Sequence, residues 1–316
     1  MSGNNDIMVS ICCATYNHEK YIRQALDGFV KQKTNFKYEI LIHDDASTDK
    51  TADIIREYEE KYPGLIKPIY QTENQYSKKV PVTWTYQYPR AKGKYIAFCE
   101  GDDFWCSDTK LQEQYDIMES YPNVVFCAHK VGLVTENGED SGDTYPQESI
   151  GLSEGIITSE MFVKMLIGDN VYPFQTTSYF LRGQMFSKLL NEKPDFFLKQ
   201  PVGDMALMWF FSINGDAYYI DKEYSKYRKG VPGSWSERQK KSKLFFADIH
   251  DKRIEAYEAF NLYTKEKYKK WIKRNIQYAR ISRIKVTGRI YSVAEFFEFF
   301  VWVIKRLVSK TIKILK

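Results

Sequence analysis

Two clusters of acidic residues in the N-terminal part of the chain each directly follow a short apolar run. Asp44 and Asp45 follow one run, and Glu100, Asp102 and Asp103 follow another. Adjacent carboxylates repel one another, which raises their pKa values unless a cation or hydrogen-bond donors compensate. A divalent cation such as Mg²⁺ or Mn²⁺ takes one or two carboxylates together with substrate phosphates and water. Taken alone, either cluster is more often a turn or a helix cap.

The elements that would position these acids alternate in type along the chain. From residue 8 to residue 131, β-rich apolar runs alternate with helical segments, as in an α/β domain with a parallel sheet. The predicted strands are residues 9–14, 38–43, 66–70, 95–99 and 124–129, and the predicted helices are residues 19–31, 50–62 and 107–120. Ligands bind at the carboxyl ends of parallel strands, so we expect both acidic clusters at one edge of the sheet.

The remaining segments have less regular patterns. Residues 71–92 have no clean period, and a loop of that length in a compact domain is usually functional. Residues 132–152 are rich in Gly, Asp, Glu and Ser and are predicted to be an exposed excursion over an acceptor. Further helices are predicted at residues 159–167, 183–190 and 204–213, strands at 177–181 and 218–220, and helix throughout from residue 236.

Three segments carry a resemblance to a known family. Residues 9–17 (VSICCATYN), 40–51 (ILIHDDASTDKT) and 93–105 (GKYIAFCEGDDFW) resemble, in order and spacing, the signatures of family-2 inverting glycosyltransferases of the GT-A fold. The resemblance spans residues 8–236. It implies an α/β, Rossmann-like fold with a mainly parallel central sheet flanked by helices and a helical C-terminal extension.

The resemblance also implies a division of the chain. Residues 1–236 would form the catalytic domain, with the nucleotide-sugar part at 1–131 and the acceptor part at 132–236. Residues 237–316 would form a helical, basic extension that ends in an amphipathic helix. The processive polymerases of the family carry a Q-x-x-R-W motif and spanning helices, and neither is visible, so we expect one sugar to be transferred per encounter.

Family roles transfer to single residues of the first two segments. Tyr16, with the backbone around Ala14 and Thr15, would flank the base of the nucleotide. Asp45 would contact the edge of the base, and Asp44 would lie beside it on the nucleotide side. These residues would bind a nucleoside-diphosphate sugar, with a UDP-sugar as the first expectation.

The third segment departs from the commoner D-x-D motif because Glu100 stands first. The resemblance assigns Asp102 to the ribose or the metal, Asp103 to the metal, and Glu100 to the substrate. The metal would be Mn²⁺ or Mg²⁺. Trp105 is expected to form the floor of the acceptor sugar site, and a core anchor is the open alternative for this side chain.

An inverting transfer needs a base that removes the proton of the acceptor hydroxyl. Asp204 fits the family position of that base, although Gly203 replaces the usual first acid, and a helix cap is the alternative. Its place at the start of a helix would lower its pKa.

A basic segment and four histidines complete the candidate residues. Tyr227 and Arg228, followed by residues 233–236 (GSWS), resemble a segment that closes over the diphosphate. The family histidine is not matched there, so this role passes to Arg228 or Lys229. The four histidines lie in different segments without metal-ligand spacing and are expected to be structural: His18, His43, His129 and His250.

The C-terminal part differs from the rest in charge. Residues 265–316 carry 15 Lys or Arg against 3 Asp or Glu, a net +12, whereas the whole chain carries +5 and the remainder therefore −7. This uneven distribution argues against a nucleic-acid partner. The apolar stretch 296–304 is interrupted by Glu298 and is far shorter than the ~20 residues of a spanning helix. We expect this helix to lie on a membrane surface, with packing on the protein's own core or in a homo-oligomer as the alternative.

Together these features predict a glycosyltransferase that adds one sugar to a lipid-linked saccharide in capsule or other cell-surface polysaccharide synthesis. The five cysteines form no C-x-x-C pair and no signal-peptide pattern is visible, so we expect a cytoplasmic location, peripheral on the inner face of the membrane. A sugar-nucleotide nucleotidyltransferase is one alternative, but residues 14–17 offer no Gly-rich phosphate loop. A non-catalytic scaffold protein is the other, and the presence of both acidic clusters and Asp204 argues against it.

Overall fold

The computed structural model describes residues 6–232, 234 and 243–314, with side chains described for all of these except 243–247 and 306–314. The chain divides into two compact units. The first contains Met1–Phe162, Tyr172–Glu192 and Phe211–Pro232, and the second contains Val163–Val171, Lys193–Phe210 and Gly233–Lys316. This division differs from a single cut after residue 236, because two inner segments cluster with the C-terminal helices. The predicted functional boundary stays a prediction.

The first unit is built on a mixed sheet. Its strands are β1 (Ile7–Thr15), β2 (Lys37–Asp44), β3 (Ile66–Tyr70), β4 (Tyr95–Phe98), β5 (Phe104–Trp105), β6 (Val124–Val134), β7 (Asp140–Tyr145), β8 (Gly155–Ile157), β9 (Phe180–Arg182) and β10 (Asp216–Arg228). The strand order is β3-β2-β1-β4-β9-β6-β10-β5, with β7 on β6 and β8 on β10. β1 to β4 run parallel, whereas β9 lies antiparallel between β4 and β6. The α/β fold is therefore confirmed.

The helices are α1 (Ile22–Val30), α2 (Thr51–Lys61), α3 (Lys110–Ser120), α4 (Ser159–Val163), α5 (Gly183–Glu192), α6 (Asp195–Lys199), α7 (Gly203–Ser212), α8 (Lys243–Tyr263), α9 (Lys269–Thr287) and α10 (Val293–Ile314). α1 buries Ile22, Ala25, Leu26 and Phe29, the face that the helical spacing predicts. A Cβ on Gly28 would lie 2.7 Å from the carbonyl oxygen of Trp105, so only glycine allows α1 to approach β5 this closely.

Two segments that were predicted to be irregular contain regular structure. Residues 71–92 include short 3₁₀ turns and one π turn, and the side chain of Gln87 donates to the carbonyls of Cys13 at 2.7 Å and Leu41 at 3.0 Å. Within 132–152, β6 continues to Val134 and the chain returns as β7, antiparallel to β6. The sequence did not predict this hairpin because β7 is polar. Its side chains are exposed or half-buried, so it lacks the alternation of apolar and polar residues that indicates a strand.

The second unit is helical, which confirms the predicted helical C-terminal region. Its core is aromatic: the ring of Trp209 lies 4.9 Å from that of Tyr257 and 5.1 Å from that of Phe260, and Phe260 in turn contacts Phe196 at 5.1 Å. Within the described ranges, no helix combines the length and the apolar content that crossing a bilayer requires.

Candidate functional site

The carboxyl ends of the parallel strands bring the two acidic clusters to one edge of the sheet. Thr15 at the end of β1 is in register with Asp44 at the end of β2. The backbone N–H of Asp45 donates to the carbonyl of Thr15 at 3.0 Å, and the N–H of Gly101 donates to the carbonyl of Ala14 at 3.0 Å. The end of β1 therefore lies between the two acidic loops and is bonded to both.

Asp44 is buried and serves the turn that follows β2. The hydroxyl of Ser47 donates to one carboxylate oxygen of Asp44 at 2.5 Å, and the N–H of Ser47 donates to the other at 3.3 Å. Burial raises the pKa of Asp44, and the bonds from Ser47 only partly offset that effect. The turn interpretation left open for this cluster thus describes part of what Asp44 does.

Asp45 holds the beginning of the long segment 71–92. Its two carboxylate oxygens accept backbone N–H groups from Gln75 at 2.8 Å and Tyr76 at 2.9 Å. The side-chain amide of Asn74 donates to the carbonyl of Asp45 at 3.1 Å. The segment is therefore fixed against the strand edge, and the predicted contact of Asp45 with a nucleotide base stays a prediction.

The loops after β1 and β2 form one hydrogen-bonded surface. Asn17 adopts a left-handed backbone with φ 55°, its N–H donates to the hydroxyl of Ser47 at 2.9 Å, and its side-chain carbonyl accepts the N–H of Thr48 at 2.8 Å. Tyr16, the residue before it, has 43% of its surface exposed. A ring presented on a fixed loop is suited to stacking on a planar ligand.

The loop after β4 carries the second acidic cluster. Asp103 is buried, and its carboxylate accepts the backbone N–H of Arg228 at 2.9 Å. Burial raises the pKa of Asp103 well above its usual value, and the neighbouring carboxylates of Asp102 and Glu100 raise it further. A cation at this loop would relieve that repulsion.

Arg228, at the end of β10, ties the acidic loop to the rest of the unit. The guanidinium is buried and donates to the carbonyl of Asp102 at 2.9 Å, the carbonyl of Glu136 at 3.0 Å and the side chain of Gln24 at 2.9 Å. It also lies 4.8 Å from the ring centroid of Tyr21. These contacts describe a brace for the loop, and the predicted contact of Arg228 with the diphosphate stays a prediction. Of residues 233–236, only Ser234 lies within the described part of the chain.

Trp105 lies in the core, which is the alternative that the sequence left open for it. Only 3% of the residue is exposed, its indole N–H donates to the carbonyl of Thr177 at 3.2 Å, and its ring meets Phe29 edge-on at 4.8 Å. The ammonium of Lys110 lies 4.0 Å from the indole centroid, and burial lowers the pKa of Lys110 to about 7. The indole face is thus covered by protein, because the strand carrying Trp105 turns it towards α1 and α3.

His18 lies beside the acidic loop, although the sequence indicated a structural role. Its Nε2 is 3.9 Å from a carboxylate oxygen of Asp102, while its Nδ1 is buried and has no hydrogen-bond partner. A Cβ on Gly101 would come within 3.0 Å of that Nδ1 and 2.6 Å of the hydroxyl of Thr15, so glycine makes room for both side chains. No spacing motif could have found this contact, because His18 and Asp102 meet only through the parallel pairing of β1 and β4.

Asp204 belongs to the second unit, in the first turn of α7. Its carboxylate accepts the backbone N–H of Met205 at 2.7 Å. The expected lowering of its pKa by the helix terminus is wrong: burial raises the pKa of Asp204, and the backbone bonds and the charge of Arg253 only partly oppose this. Desolvation of the carboxylate therefore outweighs the partial charge of the helix end.

The sequence profile described as Glycosyl transferase family 2 matches residues 10–184, more than half of the chain. The chain belongs to glycosyltransferase family 2. The matched residues contain both acidic clusters and the end of β1 that lies between them, so the family-2 match includes the edge of the sheet described above.

Relatives of this family-2 chain include proteins with and without an assigned activity. An uncharacterized protein of Mycobacterium tuberculosis is 31% identical over 231 residues, which cover 72% of this chain and 60% of that protein. The Escherichia coli UDP-Glc:alpha-D-GlcNAc-diphosphoundecaprenol beta-1,3-glucosyltransferase WfaP is 36% identical over 113 residues, which cover 36% of this chain and 42% of WfaP. The match thus spans less than two thirds of either relative's length.

The fold of this family-2 chain is also similar to that of S. aureus TarS. The structure of TarS residues 1–349 in complex with UDP-GlcNAc superposes with a TM-score of 0.55 and 16% identity, covering 89% of this chain and 80% of TarS. At this identity the similarity concerns the fold, and it confirms the GT-A type of architecture.

The acidic loop of the family-2 domain is compatible with a divalent cation. In the described ranges, no three His, Cys, Asp or Glu side chains form a ready metal site. Mg²⁺ and Mn²⁺ do not need one, because they bind through one or two carboxylates and take further oxygens from substrate phosphates and water. The carboxylates of Asp102 and Asp103 are hard oxygen ligands of this kind, so the residues fit a cation that binds together with a diphosphate.

Replacing Arg228 with methionine is expected to lower the free energy of unfolding by about 2 to 4 kcal/mol, because the buried guanidinium is lost and several partly buried acceptors lose their charged donor. Urea denaturation followed by circular dichroism measures this change. Arg23→Met is the matched control, since Arg23 is exposed, pairs with Glu57 and lies 5.7 Å from the ring centroid of Tyr58, and its loss should change stability by about 1 kcal/mol or less. Equal losses in both variants would contradict the bracing role.

Proposed function

We propose that this glycosyltransferase moves one sugar from a nucleoside-diphosphate sugar to a hydroxyl of a saccharide acceptor, with inversion, in the synthesis of a cell-surface polysaccharide. The proposal rests on one observation: within the family-2 region, one edge of the sheet carries four aspartates, namely Asp44, Asp45, Asp102 and Asp103. The TarS complex with UDP-GlcNAc and the donor in the name of WfaP support a UDP-sugar as the first donor to test.

The donor would lie across the three loops at this edge. Tyr16 would stack on the base, and Asp45 and Asp44 would line the nucleoside side. Asp102 would contact the ribose or the cation, Asp103 would hold the cation, and Glu100 would lie at the substrate.

When bound, Mn²⁺ or Mg²⁺ would neutralise charge on the departing diphosphate. Arg228 would keep the acidic loop in place through its contacts with Asp102 and Asp103.

The acceptor hydroxyl would be activated by Asp204. The carboxylate takes the hydroxyl proton while the acceptor oxygen bonds to the anomeric carbon, and the bond between that carbon and the diphosphate oxygen breaks on the opposite face. The configuration is therefore inverted. Because burial raises the pKa of Asp204, the carboxylate is a stronger base than an exposed aspartate.

The acceptor is proposed to be lipid-linked, and the enzyme peripheral on the inner face of the cell membrane. The name of WfaP specifies a diphosphoundecaprenol-linked acceptor for that relative. The net +12 of residues 265–316 supports attraction to the anionic cytoplasmic leaflet.

A donor panel tests the proposed function. The purified chain is heated with UDP-, GDP- and dTDP-sugars, with and without Mn²⁺, and release of free nucleotide is measured with each donor. We expect a cation-dependent rise in the denaturation midpoint and cation-dependent hydrolysis with one nucleotide. Protein that neither binds nor hydrolyses any donor would exclude the catalytic proposal, and pyrophosphate formed from a sugar phosphate and a nucleoside triphosphate would indicate the nucleotidyltransferase instead.

Replacing His18 with alanine is expected to weaken Mn²⁺-dependent nucleotide binding by about 10-fold, the lower range for outer-shell partners of metal ligands. The physical reason is that Asp102 loses the imidazole that lies beside its carboxylate. Titration of Mn²⁺ against nucleotide binding measures the effect. His18→Gln should restore most of the affinity, and His250→Gln, in the helical unit, should leave it unchanged; an unaltered Mn²⁺ affinity in His18→Ala would refute the contact's importance.

A further inference from the structure

The C-terminal helix α10 is attached to α9 through its polar side. Arg283 is buried and donates to the carboxylate of Glu295 at 2.6 Å, and Arg280 lies 3.7 Å from the other oxygen of that carboxylate. Arg280 also pairs with Glu298 at 3.4 Å. The backbone N–H of Tyr291 donates to Glu295 at 2.8 Å, which fixes the turn before the helix. Both acids of α10 are thus neutralised at the contact with α9.

The other side of α10 is apolar and exposed. Its side chains are between 44% and 74% exposed and comprise Val293, Phe296, Phe297, Phe300, Val301 and Ile304. At 100° per residue these positions lie within one contiguous arc, and Phe296 stacks on Phe300 with centroids 6.2 Å apart. A helix of a water-soluble domain normally turns its apolar side inward, so this orientation is inverted. We call this surface the phenylalanine face.

The charge around the phenylalanine face determines which occupant fits it. Lys285, Arg289 and Lys305 are exposed on α9, on the connection and on α10, and residues 265–316 carry +12. A second copy docked through this face would bring two +12 segments together, which electrostatic complementarity disfavours. An anionic lipid surface would satisfy both the apolar face and the positive charge.

We propose that the phenylalanine face inserts into the boundary between headgroups and acyl chains of an anionic bilayer, with Phe296, Phe297 and Phe300 as the inserting side chains. This inference deepens the proposed function and rests on it for the lipid-linked acceptor. The ion pairs of Arg280 and Arg283 hold the polar side of α10 against α9, so the phenylalanine face is already exposed in the lipid-free protein. Binding to a bilayer therefore requires no rotation of the helix.

Flotation of the full chain with lipid vesicles tests the proposal. We expect the protein to float with vesicles containing 30% phosphatidylglycerol, to float much less with phosphatidylcholine alone, and to be released by 0.5 M salt. The variant F296S/F297S/F300S should lose at least about 10-fold in partitioning, since each exposed ring contributes to insertion. The matched control, L198S/L262S, removes two exposed leucines of the same unit and should float like the wild type.

Three results would overturn the proposal. They are flotation that does not depend on anionic lipid, a triple variant that floats normally, and a wild-type dimer that the triple variant converts to monomer without any lipid binding. Donor hydrolysis in solution is measured in parallel. A triple variant that hydrolyses donor normally and no longer floats supports the lipid surface, whereas wild-type protein that floats but hydrolyses no donor would count only against the proposed function.

Discussion

Asp103→Asn is expected to reduce donor turnover by at least about 100-fold while leaving the protein as stable as the wild type or more stable. The amide keeps an acceptor for the N–H of Arg228 but removes the charge that would hold the cation at the diphosphate, and lost stabilisation of developing charge has effects of this size. Without a cation, the buried carboxylate next to Asp102 and Glu100 destabilises the folded chain, so the neutral side chain relieves repulsion.

Initial rates over a range of Mn²⁺ concentrations and a thermal denaturation curve measure both halves of this result. Asp53→Asn is the control, because Asp53 is an exposed acid of the same unit that forms an ion pair with Arg56, its neighbour on α2. Its rate should equal that of the wild type. Full Mn²⁺-dependent turnover in Asp103→Asn would remove Asp103 from the metal site.

Asp204→Asn is expected to lower kcat by a factor of about 10² to 10⁴, because the amide cannot accept the proton of the acceptor hydroxyl. Nucleotide binding should be unchanged, because Asp204 is not proposed to contact the donor. In the wild type the base must be ionised, and its folded pKa is raised. The rate should therefore fall as the pH drops through a value above that of an ordinary aspartate, and this acidic limb should disappear with the substitution.

Transfer assays with a fixed acceptor over a pH series, together with nucleotide titrations, measure this effect. Asp195→Asn, an acid of α6 in the same unit, is the control and should keep both the rate and the acidic limb. A variant at Asp204 that transfers sugar at the wild-type rate would show that another group accepts the proton, and a variant that no longer binds nucleotide would show that Asp204 acts on the donor side.

The sequence predicted the first half of the sheet closely because the patterns there are local. Strands β1 to β4 and helices α1 to α3 begin and end within three residues of their predicted bounds, since apolar runs and short polar turns mark each boundary. Both acidic clusters followed from that placement, because the carboxyl ends of parallel strands share an edge.

Contacts between distant segments could not be predicted in the same way. Trp105 follows an acidic turn in the sequence, which suggested an exposed side chain. In the structure β5 pairs with β10, and Phe29 and Lys110 cover the indole ring. Arg228 meets a loop 125 residues earlier in the chain. The pKa of Asp204 is raised mainly by burial, and its position at the start of a helix gives no information about burial.

The helical unit is assembled from three separate stretches of chain, and this limits how it can evolve and be engineered. The side-chain amide of Asn275 donates to the carbonyl of Ile167 at 2.7 Å, and Phe260 packs on both Phe196 and Trp209. Ending the gene near residue 236 would leave these inner segments without their aromatic partners. The C-terminal helices therefore cannot be exchanged between relatives on their own. A chimaera must also exchange the two inner segments, Val163–Val171 and Lys193–Phe210.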